Sequence, residues 1–427
     1  MEFAMDRGRR PGPAPAVYDA EIRRSFVQSH KPLVNAPPAA AARPAVRALV
    51  ASQIREVANA AMDDPNVLAF WFGEPDEVTP AFIRDEAAAA LARGETFYTH
   101  NFGIPELREA IAAYVSHWHR PTAVTSIAAT ASGMSALMLA VQSLVAPGDR
   151  VVVVTPLWPN LVEIPKILSG DVAIVPLAFG TRGWTLDVDR LLAALTPRTR
   201  VLMLNSPNNP TGWTISRAAQ VAILAHCRRH GIWIVADDVY ERLYYEGDAA
   251  CAPSFLAIAH PDERVVSTNS FSKSWCMTGW RLGWIVAPPA LMPDLGKLIE
   301  YNTSCSPVFV QRAGVAAITQ GEPAVGRTRS RFRAARDYLV DALAALPGIE
   351  IAPPPGAMYA FFRVDGLTDS LGFCKDLVRD AGLGLAPGSA FGPEGEGFVR
   401  WCFASDLGRL QDGVDRLARF LRARVPQ

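Results

Sequence analysis

Short runs of β-branched and aliphatic residues recur through the middle of this chain, with helix-patterned segments between them. They fall at residues 150–154, 201–204, 232–236, 265–268 and 282–286, and helical stretches such as 216–230 separate several of them. Parallel strands must be joined by crossovers of helix length. The alternation therefore predicts an α/β fold with a largely parallel sheet between helices. At 427 residues the chain is too long for one small core, and two packed domains are expected.

The pattern changes beyond about residue 325. An Arg-rich helix at 328–345, a strand at 358–364, a further helix and a strand at 398–403 read as a smaller α+β domain. Residues 1–45, rich in Pro, Ala and Arg, are expected to form a flexible arm. Residues 46–79 would start the small domain with an amphipathic helix at 47–61, before the turn-rich Gly73-Glu74-Pro75-Asp76. Residues 80–325 would form the large domain, and 326–427 the rest of the small one.

Composition narrows the function. Lys plus Arg and Asp plus Glu both number 42, so a nucleic acid or an anionic membrane is not an expected partner. The longest apolar stretches are strand-length, far short of a membrane span. Arg7, Arg9 and Arg10 are followed by Pro and Ala instead of an apolar core, which argues against a secretory signal. The 6 cysteines include no C-x-x-C pair, so neither a zinc cage nor a disulfide framework is expected, and a cytoplasmic protein with reduced thiols is. His117 and His119 lie on a predicted helix, where i and i+2 side chains point apart; no metal site is expected from them.

Lysine is rare, and Lys273 stands out. It sits in Ser270-Phe271-Ser272-Lys273, just after the strand at 265–268, with Arg281 eight residues on in Gly279-Trp280-Arg281-Leu282-Gly283. An amine at the end of a buried strand must lose its charge or find a partner, and a nearby guanidinium lowers its proton affinity further. A neutral amine is what condensation with an aldehyde requires. Ser-x-x-Lys alone is weak: it also occurs in serine β-lactamases, and a solvated lysine is the ordinary case.

Other features also admit two readings. Asp237, in Asp237-Asp238-Val239-Tyr240, stands at a strand's carboxyl end and could be a turn residue or a ligand contact. Asn205-Ser206-Pro207-Asn208-Asn209-Pro210-Thr211-Gly212 could be only a turn. Ser132-Gly133-Met134 opens a helix whose free amides would suit an anion, as many helices do. Trp158 and Tyr98 could be a core side chain and a loop side chain. Arg400 alternates with apolar residues on a strand, which fits a side chain pointing into a polar pocket.

Taken together and in this order, these motifs resemble the class I/II aminotransferases, fold type I enzymes that use pyridoxal 5′-phosphate; the resemblance spans about residues 50 to 405. It implies that Lys273 bonds the cofactor's aldehyde. Ser270, Arg281 and the amides of Gly133 and Met134 would hold its phosphate. Asp237 would pair with the ring nitrogen, Tyr240 and Asn209 with the phenolic oxygen, and Trp158 would stack on the ring. Tyr98 would reach the phosphate of a neighbouring subunit, making a homodimer with shared active sites. Arg400, helped by Gly73 and Asn209, would clamp the substrate carboxylate.

The implied reaction moves an amino group from an L-α-amino acid to a 2-oxo acid by a ping-pong route through pyridoxamine phosphate. A pyridoxal-phosphate C–S β-lyase would share the same cofactor residues. A ligand-sensing regulator on the same fold would need a DNA-binding domain, for which the first 45 residues are too short and too Pro-rich. Three positions depart from the family's pattern. Trp71 replaces a usual glycine beside the substrate, Met134 stands where several aspartate aminotransferases have lysine, and Met358 replaces an aromatic before Tyr359. The first two favour an uncharged or aromatic substrate side chain over a dicarboxylate.

Overall fold

The structure, a computed structural model, describes residues 41–424. The expected arm lies outside the described residues up to residue 40; a short helix, Pro44–Arg47, falls at its end. From residue 48 onward the chain forms one unit built around two main sheets.

The larger sheet contains β1 (Ile127–Thr130), β2 (Arg150–Thr155), β3 (Asp171–Pro176), β4 (Thr199–Asn205), β5 (Trp233–Asp237), β6 (Val265–Ser270) and β7 (Gly283–Val286). Their spatial order is β1-β7-β6-β5-β4-β2-β3. Only β7 runs against its neighbours; all other adjacent pairs are parallel. The α/β expectation holds. Helices cover both faces, which is why Val151–Val154 and Val201–Leu204 are apolar without alternation: both sets of side chains are buried.

Capping residues set the crossovers. The helix Arg217–His230 starts where the Ser216 hydroxyl accepts the Ala219 amide, and ends at Gly231 with φ 66°. Arg228, Arg229 and His230 sit in its last turn, where cations complement the helix dipole. Chain then passes directly into β5.

The second sheet is antiparallel: β8 (Ile349–Glu350), β9 (Tyr359–Val364), β10 (Ala386–Pro387) and β11 (Phe398–Cys402), in the order β8-β9-β11-β10. It has an aromatic core of its own, including Phe361, Phe362, Phe391, Phe398, Trp401 and Phe403. Two helices differ from expectation. The one placed at 47–61 is Gln53–Asn59, begun by the Ser52 side chain accepting the Arg55 amide. The one placed at 328–345 starts earlier, as Glu322–Ala344, because Pro323 lies in its first turn, where no amide is needed.

The two halves of the larger sheet's functional edge approach with no space to spare. A Cβ on Gly283 would lie 2.5 Å from the Gly133 amide nitrogen, 2.6 Å from the Ser132 carbonyl carbon and 2.7 Å from the Asn269 oxygen, all backbone atoms. Gly283→Ala is expected to destabilise the chain by about 1–3 kcal/mol, read as a lower urea midpoint at unchanged slope. An unchanged midpoint would show that this edge can spread.

Candidate active site

Parallel strands in such a sheet deliver their carboxyl ends to one edge, where ligand crevices form. Asn205, Asp237 and Ser270 end β4, β5 and β6. Register places Asn205 opposite Asp237. A cavity of about 760 Å³ opens here, and β11 of the second sheet closes its far side with Arg400.

Lys273 follows β6 and reaches into the cavity, where its Nζ donates to the Gly73 carbonyl at 2.5 Å. Burial pulls its pKa down to about 8; Cys402 and Glu74 oppose the shift, while the guanidinium groups of Arg400 and Arg281 add to it. Burial is thus the chief cause and Arg281 a lesser one. Asp237 faces the same space. Burial and the neighbouring Asp238 carboxylate push it up to about 7, against the Val239 amide and Lys273. The Asn205 amide donates to Asp237 Oδ2 at 3.2 Å. Asp238, which the sequence left without a role, accepts the hydroxyls of Ser254 at 3.0 Å and Ser267 at 2.6 Å and does not line the cavity.

On one flank, the Ser132 hydroxyl caps the helix Gly133–Leu144 through the Ser135 amide. The first amides of a helix have no acceptor within it, and Gly133 and Met134 line the cavity. A Cβ on Gly133 would come within 2.9 Å of the Ser270 Cβ, so only glycine lets the helix start this close to β6. The Ser270 hydroxyl donates to Ser272 Oγ at 2.9 Å. Arg281, held at φ 55° beyond a one-turn helix, donates to the Thr278 carbonyl at 2.7 Å and also lines the cavity. This flank gathers amides, hydroxyls and a guanidinium, the donor set an oxyanion such as phosphate takes.

On the opposite flank Arg400 is 2 % exposed and lies between the rings of Tyr359, at 4.5 Å, and Phe391, at 4.9 Å. Its Nη1 donates to Asn209 Oδ1 at 3.0 Å and its Nη2 to the Trp71 carbonyl, while its buried Nε has no partner among the described residues. A buried donor without an acceptor suits an incoming carboxylate. The Tyr240 and Tyr359 hydroxyls are 2.6 Å apart, and burial with this contact raises the Tyr240 phenol well above its ordinary range. Trp158 also lines the cavity.

Most residues singled out in the sequence therefore meet in one cavity. Tyr98 does not: it is 89 % exposed and borders a separate hollow with Phe97 and Cys305. Tyr359, Asn205, Ser272 and Arg55 line the cavity without having been assigned a role. Ser272 and Asn205 belong to quoted motifs, so their positions could have suggested them. Arg55, over the Phe72 ring at 4.5 Å, comes from a helix with no motif. His119, Glu241 and Cys251 form a cluster with ligand atoms within 4.8 Å of one another. Its carboxylate is already engaged by protein donors, His119 at 2.8 Å and Tyr114 at 2.9 Å. All 6 cysteines are free, and no described helix is long and apolar enough to cross a membrane.

Comparison with known proteins matches residues 66–417 to the family described as aminotransferase class I and II. Aspartate aminotransferase of Pyrococcus horikoshii is 34% identical over 374 residues, 87% of this chain and 94% of that protein. A probable N-acetyl-LL-diaminopimelate aminotransferase of Bacillus subtilis is 31% identical over 88% of this chain and 95% of its own length. Among solved structures, a single mutant of Thermus thermophilus aspartate aminotransferase superposes with a TM-score of 0.83 at 30% identity, covering 89% of this chain and 99% of its own. On the strength of a match across both sheets and the cavity between them, the chain belongs to the class I and II aminotransferase family.

Proposed function

We propose that this chain is a pyridoxal-phosphate-dependent aminotransferase, moving the amino group of an L-α-amino acid to a 2-oxo acid. The observation that carries the reading is a half-buried amine, Lys273, with its pKa brought down to about 8 in a cavity between a set of anion donors and a buried arginine.

The donor set of Gly133, Met134, Ser270 and Arg281 fits the cofactor's phosphate, and Trp158 its ring face. Asp237 would sit against the ring nitrogen: a carboxyl raised to about 7 by burial ionises when a cation comes beside it, and so keeps that nitrogen protonated. Tyr240 and Asn209 would hold the phenolic oxygen. When bound, the cofactor supplies an aldehyde for the covalent link and a ring that accepts the electron pair released at the substrate's Cα.

Lys273 Nζ acts first as nucleophile and, once released, as the base that takes the Cα proton. Arg400 orients the substrate by its carboxylate, with Nε the open donor and Asn209 steadying Nη1. The keto acid leaves before the acceptor binds, so double-displacement kinetics are expected. Tyr98 is exposed and does not line its own chain's cavity, and we assign it to the phosphate site of a second copy in a homodimer. Met134 and Trp71 present apolar surfaces that favour an uncharged or aromatic substrate side chain; Arg55, which also lines the cavity, is the feature that would favour an anionic one.

In the cofactor-free chain, acetylation of Lys273 followed by peptide mapping should rise with pH to a plateau half-reached near 8, far below the ~10.4 of a free lysine. Lys273→Ala should abolish both the visible absorbance with pyridoxal phosphate and turnover; retained turnover would refute the assignment. Arg400→Gln should keep the absorbance while kcat/KM falls by the equivalent of about 2–5 kcal/mol of transition-state stabilisation, as for truncating one partner of a buried charge pair. An amino-donor screen should rank an aromatic or uncharged donor above aspartate and glutamate. Keto acid formed with ammonia and no acceptor would mark a lyase instead.

A further inference from the structure

A second buried polar cluster lies behind the cavity and contributes no residue to its lining. Glu241 follows the loop after β5, and its two oxygens are occupied from three directions. His119, at the end of the helix Pro105–Trp118, places Nε2 2.8 Å from Oε2. Tyr114 donates its hydroxyl to Oε1 at 2.9 Å, and Asn269 donates its side-chain amide to the same atom at 2.8 Å. The chain continues: Asn269 Oδ1 accepts the backbone amide of Ser270 at 2.7 Å. Both side chains of the His119–Glu241 pair are almost fully buried, at 2% and 4% exposure.

Asn269 is thereby fixed at the point where β6 meets the phosphate-side flank. Its carbonyl oxygen is one of the backbone atoms that a Cβ on Gly283 would strike, and Ser270 beside it packs against Gly133. A carboxylate buried this deeply is tolerated while its hydrogen-bond donors stay in place. With His119 gone, Oε2 of Glu241 loses its donor while Oε1 keeps Tyr114 and Asn269, so the carboxylate is biased towards protonation or rotation, and either change alters the acceptor on which Asn269 rests.

We propose that His119 is a positioning residue, acting through Glu241 and Asn269 to hold Ser270 at the spacing from Gly133 that an incoming phosphate requires. The inference rests on the cofactor reading above and adds a residue that touches neither cofactor nor substrate. It also gives the pair a purpose other than metal binding, since Glu241 spends its acceptor capacity on protein donors.

The test compares affinities for pyridoxal phosphate and for pyridoxal, which lacks the phosphate, by visible absorbance in the full-length chain stripped of cofactor. His119→Leu is expected to weaken pyridoxal phosphate about tenfold and pyridoxal less than twofold. His119→Gln, which keeps an N–H donor, should return the phosphate affinity to within twofold of the parent. Equal weakening of both aldehydes, or of neither, would overturn the proposal, because general loosening of the cavity does not discriminate by phosphate. Should His119→Leu fail to fold, Asn269→Ser decides alone: it leaves the His119–Glu241 pair intact and should show the same phosphate-selective loss, and unchanged selectivity overturns the proposal. A parent chain that develops no absorbance with either aldehyde fails at the cofactor reading itself, and the positioning role falls with it.

Discussion

A half-buried amine set against a carbonyl, with no carboxylate in hydrogen-bonding contact among the described residues, is an unfavourable thing to build, and the rest of this structure is arranged around it. Lys273 gives up part of its hydration and donates to the Gly73 carbonyl in return. The lowered pKa of about 8 makes the proton easier to give up, which is what nucleophilic chemistry needs. Such a site survives only on a rigid frame, and the parallel sheet with its helices on both faces supplies one. Arg400, two rings and a pair of tyrosine hydroxyls lock the second sheet against that frame.

The two carboxyl neighbours at the end of β5 show how a strand sorts like charges. Successive side chains point to opposite faces, so Asp237 enters the cavity while Asp238 turns towards Ser254 and Ser267. Burial raises both, Asp237 to about 7 and Asp238 to about 6. Only the first faces a space a ligand can enter.

The sheet was legible because buried parallel strands are written as uninterrupted apolar runs, and the active-site residues at their ends because each carries a motif of its own. Asp237 ends a strand, Asn209 lies in the loop just after one, and Lys273 and Arg281 lie within a dozen residues of one. Residues lacking such a local signature escaped. Arg55 arrives from a short helix whose start depends on Ser52, not on hydrophobic period. Tyr359 reads as an ordinary strand aromatic until its partner, 119 residues away, is known. The link from His119 to Asn269 joins three separate segments, and no spacing along the chain announces it. The early start of the helix Glu322–Ala344 was hidden for a different reason: Pro323 signals a break in a helix interior but a beginning in a first turn.

Arg400 is tied to the Trp71 carbonyl across 329 positions of sequence. A chain emerging from the ribosome could complete the lysine-bearing sheet well before the strand Phe398–Cys402 is made. At that stage the nascent protein would hold the cavity around Lys273 without the wall that carries Arg400, the donor we propose for the substrate carboxylate.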